Sequence, residues 1–95
     1  MINIFYKKVS KILGIEESLL EKEAIRQYLL HELRRVRLES KFIMIKYNIS
    51  NIEEFDEKIR RGELNETDVF EDFTRLDYLL DREEKLRKLL EELEE

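Results

Sequence analysis

From Ser18 to Tyr47 the chain runs without a single Gly or Pro, which leaves little option but one continuous helix. Ile25, Leu29, Leu33, Val36, Ser40, Ile43 and Tyr47 recur at steps of four and three, so they share one face. At 1.5 Å per residue the helix would be roughly 45 Å long, longer than a small domain is wide. Something must cover that face. A second apolar series, Leu38, Phe42, Ile45 and Ile49, lies beside the first, so the helix should meet two different surfaces.

The last third of the chain is built to supply one of them. Val69, Phe73, Leu76, Leu80, Leu86, Leu90 and Leu93 form a coiled-coil-like seam that Glu83 interrupts, and Leu79, Leu86 and Leu93 are also spaced by sevens. Between the two long segments, Ile52, Phe55 and Ile59 mark a short amphipathic helix closed by Gly62. At the N-terminus Ile2, Phe5, Val9, Ile12 and Leu13 fall at helical spacing opposite Lys7, Lys8 and Lys11. Ile2, Ile4 and Tyr6 also alternate as a short strand would; the helix is the preferred reading, ended by Gly14 in the left-handed conformation.

These patterns predict an all-α single domain with helices at about residues 2–13, 18–47, 51–61 and 68–94. The two long helices would form an antiparallel hairpin, with two short helices packed on it. Ser18 with Glu21 and Ser50 with Glu53 read as capping boxes, Asn65 with Asp68, or Thr67 alone, as the cap of the last helix, and Asn48 as a left-handed stop. With 95 residues and a helix striped on two sides, the core is expected to be completed by homodimerisation.

Composition narrows the class. The chain is 42% hydrophobic and 43% charged, the balance of long amphipathic helices and not of a disordered segment. No Cys means no disulfide and no thiolate metal site, and abundant Glu, Lys and Ile fit a thermophile's cytoplasm. No apolar run approaches a membrane span, and the N-terminus lacks a signal-peptide core, so a cytoplasmic location is expected. The net charge of −5 hides a polarity. Residues 1–14 carry three Lys and no acid, whereas residues 63–95 carry thirteen acids and five bases. Either the two ends face different partners, or they face each other in a bundle or dimer.

No constellation announces catalysis, and no cofactor is implied. His31 is the sole histidine, too few for a triad or a transition-metal site. Glu53, Glu54 and Glu57 spell E-E-x-x-E, resembling the first half of the magnesium site of all-helical nucleotide pyrophosphohydrolases. The second half of that pattern is present only reversed, as Asp68-x-x-Glu71 or Asp81-x-x-Glu84. A magnesium-dependent hydrolase is therefore the minority reading, and a solvated acidic face the bland one. Lys7, Lys8 and Lys11, with Arg26, Arg34, Arg35 and Arg37, could contact nucleic-acid phosphates. The alternative is that the arginines pair with Glu32 and Glu39 on their own helix.

The stretch from Leu13-Gly14-Ile15 through Ser18, Ala24 and Tyr28-Leu29 resembles the second-helix region of ribbon-helix-helix antitoxins, with its Gly turn, Ser cap and closing Tyr-Leu. Lys46-Tyr47-Asn48-Ile49-Ser50, Phe55, Arg60-Arg61-Gly62-Glu63-Leu64 and Val69-Phe70-Glu71-Asp72-Phe73 with Leu76 resemble small helical proteins of archaea and bacteria. Members of that group are often encoded beside toxins and regarded as their antitoxins. The resemblance implies a non-catalytic binding protein whose partner is a cognate toxin. In that reading the acidic last helix meets the partner, with Val69, Phe70, Phe73, Leu76 and Tyr78 as anchors. Those same residues could equally be the core of the hairpin.

Overall fold

The structure, a computed structural model, describes residues 2–95; Met1 and the side chain of Ile2 lie outside the described part. Four helices follow in order: α1 (Ile2–Leu13), α2 (Glu17–Lys46), α3 (Ile52–Arg60) and α4 (Val69–Glu94). Helices α2 and α4 pack along each other as an antiparallel hairpin. Helix α3 packs on α4, and α1 touches only the start of α2. The result is a rod of 61 × 26 × 18 Å. Its radius of gyration is 19.4 Å, against about 12–13 Å for a compact chain of this length.

Helix ends explain why the elements stop where they do. Asn48 and Gly62 adopt φ of 53° and 68°. In each case the next residue's N–H reaches the carbonyl five residues back, Ile49 to Met44 and Glu63 to Lys58. Gly14, also at φ 68°, ends α1 in the same way, with Ile15 N–H donating to Ser10. Lys58 adds its ammonium to the carbonyls of Tyr47 and Asn48 at 3.1 and 3.0 Å, complementing the negative end of α2.

Helix starts depart from expectation. The α1–α2 turn is so short that α2 begins at Glu17, with Glu16 at the cap position and no side-chain cap. Ser18 is then inside the first turn and forms no box with Glu21. The α3 cap is Asn51, one residue later than expected. Its side chain accepts from Glu54 N–H at 2.8 Å, while the Glu54 carboxylate accepts from Ser50 N–H at 2.9 Å. At α4 the cap position is Asp68 without a side-chain cap, so neither Asn65 nor Thr67 serves. The Asp68 carboxylate is drawn instead to Lys46, 2.7 Å away.

The core is a single seam. From α2 it takes Leu29, Leu33, Val36, Ser40, Ile43 and Tyr47, whereas Ile25 is exposed. From α4 it takes Val69, Leu76, Leu79 and Leu86, with Phe73, Leu80, Leu90 and Leu93 half-buried. Leu79, not Leu80, is the fully buried member. Stepping 72, 76, 79, 83, 86, 90, 93 is the regular heptad course, which puts Asp72 and Glu83 on the seam. Both carboxylates find partners: Asp72 accepts from Tyr47 and Lys46, and Glu83 from Arg37 at 2.9 Å. At the α3 end, Tyr47 stacks on Phe55 at 4.6 Å and Phe55 meets Phe73 edge-on at 5.4 Å, closing the hairpin.

Register is written in charge. Glu32, Glu39 and Lys46 step by sevens along α2, and their partners Arg82, Arg75 and Asp68 step back by sevens along α4. A slip of one heptad in either direction sets Lys46 against Arg75, or Glu39 against Asp68. Exposed pairs contribute only about 0–1 kcal/mol each, whereas fully burying a Leu or Val contributes about 1.5–3 kcal/mol. The ladder therefore specifies alignment, and the apolar seam holds it.

Candidate interaction surface

The anchors expected on the last helix divide into two groups. Val69 and Leu76 are buried in the hairpin seam, and Phe73 is half-buried against Phe55. They are structural because steps of three and four place them on the face that α2 and α3 cover. Phe70 and Tyr78 lie on the outer side of α4 and are 74% and 49% exposed. Thr74 sits between them, one turn from each, and its hydroxyl donates to the Phe70 carbonyl at 3.0 Å. These three, with Glu71 and Arg75, line a shallow cleft.

Tyr78 is held in place from across the hairpin. The Arg75 guanidinium lies 5.2 Å from the centre of its ring and is fixed by the Glu39 carboxylate on α2, 2.9 Å from its Nη2. Arg35 reaches the same carboxylate at 3.6 Å and Glu32 at 3.0 Å. Hydrogen bonds from Arg35 and then Arg82 hold Glu32 down at about 2. Arg75 likewise lowers Glu39, and Lys46 lowers Asp68. Around this network the outer face of α4 is acidic, with Glu71, Asp77 and Asp81 exposed.

The remaining sites are not assembled. Glu53, Glu54 and Glu57 do not converge on an ion: Glu54 reaches back to the α3 cap, Glu57 faces Arg61 at 3.4 Å, and Glu53 is exposed. Among the described residues no three His, Cys, Asp or Glu side chains gather as ligands. Lys7, Lys8 and Lys11 are exposed on α1. Arg34 and Arg37 lie fourteen and seventeen positions beyond Leu20, where α1 rests, or over about 20 Å along α2. Arg26 and Arg37 are tied to α4 through Glu94 and Glu83, and Arg35 to Glu32. The basic residues thus form no continuous stripe. His31 is exposed.

The second stripe of α2, expected to need a partner beyond this hairpin, is exposed. Leu38, Phe42 and Ile45 point away from the seam, between 69% and 72% exposed, while Ile49 alone of that series is buried. The face of α1 that carries Phe5, Ile12 and Leu13 is also bare. No helix among the described residues is long and apolar enough to cross a membrane.

Comparison with known proteins gives a consistent result. A relative from Methanocaldococcus jannaschii, named "Uncharacterized protein MJ0235", is 30% identical over 70 residues, covering 74% of this chain and 85% of the relative. No solved structure matches. The family described as "Uncharacterized protein MJ0235 family" matches residues 1–95, and the chain belongs to that family.

Proposed function

We propose that this chain is a non-catalytic, cytoplasmic protein-binding module of the antitoxin kind, which neutralises a basic toxin through the outer face of α4. The observation that carries this reading is the exposed pair Phe70 and Tyr78, set in acidic surroundings on a helix whose other face is fully engaged. Aromatic side chains inside a charged rim are the usual anchors of protein interfaces. The thirteen acids of residues 63–95 would draw a basic partner and orient its approach. Arg75 and Glu39 preorganise Tyr78, which lowers the ordering cost on binding. The resemblance of residues 46–76 to antitoxin-like helical proteins supplies the class of partner.

Co-expression with the product of the adjacent gene tests it. That product should arrest growth alone, and this chain should restore growth and co-purify with it. A neighbour that is harmless alone, or toxicity that persists with this chain present, overturns the reading.

A further inference from the structure

Two bare apolar faces lie at opposite ends of α2. On α1, Phe5, Ile12 and Leu13 are 64–71% exposed, and Phe5 lines a shallow cleft with Tyr6, Val9 and, at the start of α2, Leu20. Leu38, Phe42 and Ile45 occupy the far end of α2, on the side opposite Leu29, Val36 and Ile43. Leu20 shares that back side, since eighteen residues separate it from Leu38 and eighteen is five whole turns. The back of α2 is therefore touched by α1 at one end and uncovered at the other.

We propose that a second copy of this chain covers it, with α1 of each copy laid on Leu38, Phe42 and Ile45 of the other. A two-fold axis crossing the middle of α2 exchanges its two ends, so both contacts form at once and the assembly closes. Each copy hides six large side chains, now about two-thirds exposed. At roughly 100–150 Å² apiece that is about 600–900 Å² per partner, the size of a standard specific interface.

Charge selects the antiparallel arrangement. The first turns of α2 carry Glu16, Glu17, Glu21 and Glu23 against Lys22 and Arg26. The rim of the Leu38–Ile45 patch carries Arg34 and Lys41, neither in an ion pair among the described residues. Joined to α1 by a turn of three residues, the acidic start of one α2 arrives at the basic end of the other. A parallel pairing would set acid on acid and base on base. Lys7 and Lys11, on the opposite side of α1 from Phe5 and Leu13, stay in solvent, and Lys8, one turn from Phe5 and Ile12, borders the docked face. This surface is separate from the α4 face, so the two proposals stand or fall independently.

The test exploits the absence of cysteine. Light scattering of the full chain at micromolar concentration should give twice 11.7 kDa. Phe42→Glu should give 11.7 kDa with unchanged helicity by circular dichroism, while Phe70→Ala should remain dimeric. Mixing Phe5→Cys with Phe42→Cys under oxidation should link the two chains, and neither variant should link to itself at a comparable rate. A monomeric wild-type mass overturns the proposal, including the case in which the monomer is captured by anionic phospholipid vesicles through α1. So does self-linking of Phe42→Cys as fast as the mixture, which would put the two α2 patches against each other.

Discussion

Ser40 places a hydroxyl in the middle of the hairpin seam, 5% exposed, with no hydrogen-bond partner among the described residues. An unpaired buried polar group costs about 1–3 kcal/mol, while its removal without loss of shape is nearly free. Ser40→Ala should therefore leave the fold intact and raise stability by up to about 1 kcal/mol, read as a higher denaturant midpoint at unchanged slope. Glu32 makes the opposite case for a charge. Its folded value near 2, set by Arg35 and Arg82, lies below the ordinary carboxylate range of the unfolded chain. The unfolded chain then binds more protons between those two values, so stability is full above that range and falls as pH drops toward 2. Glu39 and Asp68, lowered in the same direction, add to the trend. Melting temperature should decline from pH 5 or so downward, and Glu32→Gln should flatten the decline. An unchanged slope would mean the ladder is not formed in solution.

At the scale of helices, α3 is the lid on the hairpin's closed end, and Phe55 is its one fully buried residue. Phe55→Ala should cost about 3–5 kcal/mol, and hydrogen exchange should show α3 opening before α2 and α4. The sequence made these helices legible because their breaks are chemical: Gly14, Asn48 and Gly62 each take the left-handed position that their residue types allow. Starts were less legible. Ser18, Ser50 and Thr67 are all competent caps, and loop length decided among the neighbours, a quantity that pattern does not carry. The seam was legible except where polar residues hid its course. Asp72 and Glu83 lie on it, so counting apolar residues alone favoured Leu80 over Leu79. Their partners Tyr47, Lys46 and Arg37 lie 25, 26 and 46 residues away, and only the folded register shows them.

For the molecule as a whole, the governing fact is its shape. A two-helix rod buries one face of each helix and leaves the other to solvent or to a partner, and periodicity alone does not say which residues take which role. That is why Val69 and Leu76 proved structural while Phe70 and Tyr78, from the same short stretch, are exposed. On the proposed function, Phe70 and Tyr78 act in recognition and not in folding. The direct measurement is the affinity of the Phe70→Ala/Tyr78→Ala double variant for the co-purified basic partner, with its melting curve recorded alongside. Expected are wild-type helicity, a melting temperature within a few degrees of wild type, and binding weakened by two orders of magnitude or more, as loss of about 3–4 kcal/mol of anchor contacts requires. Full affinity in the double variant, or a collapse of its helicity, would contradict it.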